Sequence, residues 1–149
     1  VPVYLIRVGA PVAAVEAPLS ERGRQRVAVA ARLAADEGAS ITSALVAPNQ
    51  SCRDTAAVAA AALGGSGHIE DFKSLSPGAQ PQVPVRRISA AGNVLVVADE
   101  PEIGRIAAML VGRPSFPPFE HGHLVCVERG APAWVARPDL GRVEMLPFE

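Results

Sequence analysis

Lysine is almost missing from this chain. Lys73 is the only one in 149 residues, and the other thirteen basic residues are arginines. Fifteen acidic residues balance them to a formal net charge of −1. A chain so nearly neutral offers no electrostatic grip on nucleic acid or on an anionic membrane surface, so neither is expected as a partner. Cysteine is scarce too. Cys52 and Cys126 lie far apart in no CxxC or other zinc spacing, which excludes a disulfide scaffold and a zinc ribbon. Two reduced thiols suit a cytoplasmic protein. No apolar run approaches the roughly 20 residues that span a bilayer. The N-terminal residues lack the basic and long apolar regions of a signal peptide, which again gives a cytoplasmic expectation. The wealth of arginine and alanine is a compositional sign of a GC-rich bacterial genome.

What is present is apolar. Hydrophobic residues make up 49% and charged residues 19%. That is enough to bury a real core, and the length suits one domain over residues 1–149.

The pattern along the chain alternates. VYLIRV at 3–8 is short, β-branched and apolar, as an interior strand should be. A Gly/Ala/Pro-rich loop is expected over 9–19. A helix should follow, with Ser20 as N-cap, Glu21 in its first turn and Gly38 as its stop. Its apolar face would be Val27, Ala30, Ala31 and Ala34. SALVA at 43–47 reads as a second buried strand, and residues 50–63 as a helix closed by Gly64 and Gly65. Residues 64–92 carry several prolines and are expected to wrap the surface with one short helix or turn. NVLVVAD at 93–99 is the clearest strand, and 101–112 a helix ending at Gly112. A Pro-rich loop at 113–122 then leads into two strands joined through Gly130–Ala131, an antiparallel hairpin.

This order predicts an α/β three-layer sandwich whose sheet is mostly parallel with an antiparallel edge. Such sheets bind ligands beyond the carboxyl ends of their strands. Attention therefore falls on three corners: Arg7–Gly9, Pro48–Arg53 and Ala98–Pro101.

Those corners resemble the histidine phosphatase superfamily, the phosphoglycerate mutase-like proteins, and within it the short SixA-like phosphohistidine phosphatases. The family's first strand ends in Arg-His-Gly; here it ends Arg7-Val8-Gly9. The family's PLSERGRxQA is matched by PLSERGRQRV at 18–27, its SPxxRAxQTA by APNQSCRDTA at 47–56, and its VGHEP by VADEP at 97–101. The tail GRPSFPPFEHGHLVCVERG at 112–130 is similar to the family's closing loop and hairpin. The resemblance implies the phosphoglycerate mutase-like fold and a phosphate pocket at the first strand's tip.

The departures fall on the residues that the resemblance makes catalytic. Val8 stands where the family has its nucleophilic histidine, Ser51 where it has a second arginine, and Asp99 where it has a second histidine. Arg7 alone survives of those four. In the family one imidazole takes the phosphoryl group while arginines and the other histidine neutralise the transition state. Val8 has no atom that can do so. The expectation is a pseudoenzyme with no catalytic residue, keeping a vestigial pocket of Arg7, Gly9, Ser51, Arg53, Asp99 and Glu100. An Arg7–Asp99 ion pair is expected in place of the phosphate, because a carboxylate relieves an otherwise stranded arginine.

Other candidates have blander readings. Arg53 could replace the missing arginine, but two helical positions turn it about 200° away, toward the surface. Cys52 lies near a helix start, where thiol acidity can rise; a packed free thiol is the preferred reading, and Val58 breaks any Cys-x5-Arg loop. Asp99 and Glu100 resemble an acid–base pair, but adjacent residues at a strand end point apart. His121 and His123 would share a strand face and could hold a metal with Glu120. His68 reads as solvated. No metal or cofactor is expected. The partner is expected to be a protein or a small non-phosphate ligand, with a homo-oligomer open and a residual or repurposed hydrolase as the enzyme alternative.

Overall fold

A computed structural model of the chain describes residues 2–9, 18–65, 67–89 and 92–145. Most of the loop expected at 9–19 lies outside the described residues. Seven strands form one sheet: β1 (Val3–Arg7), β2 (Ser43–Val46), β3 (Ile69–Asp71), β4 (Val94–Ala98), β5 (Leu124–Glu128), β6 (Ala131–Arg137) and β7 (Arg142–Met145). The spatial order is β3-β2-β4-β1-β5-β6-β7. The first four are mutually parallel, and β5, β6 and β7 add on antiparallel beside β1.

Among the described residues the α-helices are α1 (Glu21–Asp36), α2 (Gln50–Leu63), α3 (Gln82–Ser89) and α4 (Glu102–Val111). Moving from β1 to β2 to β3 steps the chain one way along the sheet, and moving from β3 to β4 steps it back. Right-handed crossovers between the parallel strands then put α1 and α2 on one face and α3 on the other. The packing agrees: α1 lies on α2, and α3 on α4. The three-layer α/β architecture expected from the sequence is thus present.

Local chemistry explains the element ends. Ser20 Oγ accepts from Gly23 N at 2.9 Å and starts α1. Asn49 does the same for α2, accepting from Cys52 N at 2.9 Å. Gly64 and Gly112 close α2 and α4 at φ +103° and +70°, conformations that suit glycine. The small buried face of α1 (Val27, Ala30, Ala31, Ala34) has no exposed area. Strand β4 is buried at all five positions, as an interior parallel strand must be.

Three details correct the sequence reading. Residues 64–92 do more than wrap the surface. They supply strand β3 at the sheet edge, a 3-10 turn at Lys73–Leu75 and helix α3, and Leu75 and Ile88 are each only 1% exposed. β7 adds a third antiparallel strand after the hairpin. The hairpin turn itself is Arg129–Gly130, both at positive φ (56° and 71°), and Ala131 already belongs to β6.

Candidate functional site

Strands β1 and β4 are neighbours, with Arg7 in register with Ala98. The chain leaves β1 toward one face and β4 toward the other, so a crevice opens between their carboxyl ends. Arg7 and Asp99 meet there. Arg7 Nε donates to Asp99 Oδ1 at 2.9 Å, forming the expected ion pair. Arg7 Nη1 donates to the carbonyl oxygen of Phe119 at 2.9 Å. Asp99 Oδ1 also accepts from the backbone N–H of Glu100 at 2.8 Å. The pair sets one positive charge against one negative charge in the corner.

Val8 is 3% exposed and belongs to the core. Its N–H donates to the Ala98 carbonyl at 3.0 Å. Its carbonyl lies 2.8 Å from His121 Nδ1, which must therefore carry the proton. Gly9 sits where α1 crosses the strand tip. A Cβ there would stand 2.8 Å from Leu19 Cδ1 and 3.1 Å from the Gly23 carbonyl oxygen, which leaves little room for any larger residue. Gly9 N donates to Thr55 Oγ1 at 3.2 Å, and Thr55 Oγ1 donates to the Ser51 carbonyl at 2.8 Å. Thr55 thereby staples the first corner to α2. Ser51 is buried, and its hydroxyl donates to Asn49 Oδ1 at 3.0 Å.

Glu100 is a scaffold residue. Its Oε2 accepts from Phe119 N at 2.6 Å and its Oε1 from Gly104 N at 3.2 Å. Both oxygens of Glu100 accept from backbone donors, whereas Asp99 accepts from Arg7 through Oδ1, so the two carboxylates serve different partners. Gly104 is needed in this arrangement, because a Cβ would fall 2.7 Å from Glu100 Oε1.

Other expected site residues fall elsewhere. Arg53 does not turn into the corner; it forks onto Asp71 at the end of β3, with Nη2 to Oδ2 at 3.0 Å. Its place in the vestigial pocket is thereby corrected, and the outward reading stands. Cys52 is 1% exposed, and burial pushes its thiol up to about 12, against a lowering hydrogen bond with Asn49. A reactive thiolate at that position is ruled out by its surroundings. Burial likewise pushes Cys126 up to about 11.

The H-x-H pair is also corrected. Residues 121 and 122 form a turn, with Gly122 at φ +81°, and the strand begins only at Leu124, so the alternation of a strand does not apply. His121 goes to the Val8 carbonyl, whereas His123 Nε2 lies 3.0 Å from Asp139 Oδ1. Among the described residues no group of three or more His, Cys, Asp or Glu is arranged to hold a metal ion. Nor is any helix among them long and apolar enough to cross a membrane.

Several contributors were not singled out from sequence. Phe119 acts through its backbone and leaves no sequence signal. Thr55 lay inside the RDTA stretch but reads there as an ordinary helical residue. Asp139 and Arg137 form a network with His123 and Glu144: Arg137 Nη2 to Asp139 Oδ2 is 3.2 Å and Arg137 Nη1 to Glu144 Oε1 is 3.1 Å.

The sheet order and the helices on its two faces give a phosphoglycerate mutase-like fold. The protein histidine phosphatase SixA, solved with tungstate, superposes with a TM-score of 0.83 at 19% identity, over 94% of this chain and 99% of its own. A candidate phosphohistidine phosphatase SixA from Agrobacterium tumefaciens gives 0.70 at 21% identity, over 99% and 96%. Phosphoglycerate mutase from Bacillus anthracis gives 0.62 at 16%, over 99% and 92%. At these identities the likeness is one of fold. No family model matches the sequence, and no curated protein matches it.

Proposed function

We propose that this chain keeps the architecture of a histidine phosphatase, has lost phosphoryl transfer, and acts by binding a protein partner or a small ligand. One observation carries the reading: the residue after Arg7 is a buried valine, and Arg7 itself is turned onto Asp99 and the Phe119 carbonyl. No atom of Val8 can accept a phosphoryl group. Removing a nucleophile alone typically lowers turnover by about 10³ or more, and removing an electrostatic donor by about 10²–10³. Asp99 adds repulsion. Two like unit charges about 4 Å apart interact by roughly 4 kcal/mol at an effective dielectric near 20.

Re-creating the family pattern tests this. The triple change Val8→His, Ser51→Arg and Asp99→His is expected to raise hydrolysis of p-nitrophenyl phosphate about 10²-fold or more above the parent. Adding Arg7→Ala should abolish the gain. A parent that already hydrolyses the ester, with Arg7→Ala abolishing that activity, would refute the reading.

A further inference from the structure

The antiparallel half of the sheet carries a cavity that the corner does not use. Register places Val125 opposite Val135 and Val135 opposite Glu144, so these side chains share one face with Arg137. The segment 116–120 roofs that face and leaves a cavity of about 290 Å³. Its apolar walls include Val125, Val135 and the rings of Phe116 and Phe119, whose centroids are 5.8 Å apart at 40°. The roof is held firmly. The Phe119 peptide is gripped on both sides, its carbonyl by Arg7 and its N–H by Glu100. The residues of the old phosphate corner thus serve as positioning residues for the neighbouring cavity.

The polar part of the lining has a sign. Arg137 is the one arginine or lysine in it, and both of its Nη atoms already serve carboxylates, Glu144 and Asp139. His123 and Glu144 line the cavity as well, and so does Glu120, an exposed carboxylate that makes no ion pair among the described residues. A carboxylate without a counter-ion beside two aromatic rings suits a cation and repels an anion.

From these contacts we infer that the cavity under residues 116–120 binds a small organic amine: an apolar or aromatic body against Phe116 and Phe119, and an ammonium facing Glu120. The inference rests on the reading that this chain acts by binding, and it assigns the ligand to a site beside the phosphate corner. A small molecule fits a half-open cavity of this size.

Titration of the protein by backbone NMR with four probes tests it: benzylamine, 4-methoxybenzylamine, benzyl alcohol and benzoate. The amines are expected to shift resonances at 116–125 and 135–137, and to bind roughly five- to ten-fold more tightly than the alcohol. 4-Methoxybenzylamine should bind about as tightly as benzylamine, and benzoate should not compete. Glu120→Gln should remove most of the amine's advantage over the alcohol, and Phe116→Leu should weaken the amine with the fold intact. Benzoate binding as well as benzylamine, amine shifts mapping elsewhere, or no amine binding at roughly 10 mM would each overturn the inference. A p-nitrophenyl phosphate assay on the same preparation separates the two readings. Turnover there refutes the binding-protein reading and this inference with it, whereas an inert protein that ignores amines refutes the inference alone.

Discussion

Arg7 Nε and Asp99 Oδ1 lie 2.9 Å apart across 92 residues of sequence, at the crevice between the two central parallel strands. A cation that could hold a phosphate is thereby bound to a carboxylate of the protein itself. The same guanidinium reaches the Phe119 carbonyl, so the pair also braces the 113–122 loop.

The pair is partly open to water, with side-chain exposures of 22% and 49%. Its coupling should therefore be modest. A double-mutant cycle of Arg7→Ala and Asp99→Ala, read by urea unfolding, is expected to give about 0.5–1 kcal/mol, decreasing with added salt. Zero coupling at low salt would mean that the pair does not form in solution.

Glu100 should matter more. Its two oxygens accept the N–H groups of Gly104 and Phe119. Glu100→Ala leaves both donors without that acceptor in a partly buried place and is expected to cost about 2–3 kcal/mol. Hydrogen exchange at the Phe119 amide should accelerate in the variant. An unchanged exchange rate there would contradict the bracing role.

Acid should loosen the antiparallel half of the sheet. Hydrogen bonds from Arg142 and Arg137 hold Glu144 below its ordinary 4.5. At Asp139 burial pushes upward, but the hydrogen bond with His123 and the nearby charges outweigh it and hold the carboxyl below 3.8. Depressed folded values mean stability that is complete above the unfolded values and is lost as pH falls through the folded ones. Thermal stability should therefore decline on acidification below about pH 4.5, and Glu144→Gln should flatten that decline. A Glu144→Gln variant with the parent's acid profile would contradict this assignment.

The thiols should be slow. With Cys52 pushed up to about 12 and Cys126 to about 11, almost no thiolate exists near neutral pH, and both are buried. Native protein at pH 7.5 should react with a thiol reagent far more slowly than unfolded protein. Rapid native labelling of either cysteine would show that its packing is looser than described.

Much of this was legible from the residues, and the failures have physical reasons. The buried strands and the helix ends carry their signal in local pattern: continuous apolar runs, Ser20 before a helix, glycines after helices; the pairing of Arg7 with Asp99 was legible only through the family resemblance. Strand β3 was invisible because it has three residues, two of them acidic, and gains its place only by pairing with β2. β7 is an edge strand whose partner lies behind the turn at residues 138–141, so its alternation carries little apolar contrast. His121 and His123 misled because spacing alone implies a strand, whereas Gly122 turns the chain between them. The brace from Arg7 to Phe119 could not be read at all, since its acceptor is a backbone carbonyl that any residue supplies.

The most direct measurement is to incubate the unmodified protein with a phosphohistidine peptide and with p-nitrophenyl phosphate, and to follow both released phosphate and the intact mass of the protein. Turnover at the level of a protein-free control, with no phosphorylated species, is the expected result. A phosphorylated form that appears with substrate and decays with turnover would contradict the account.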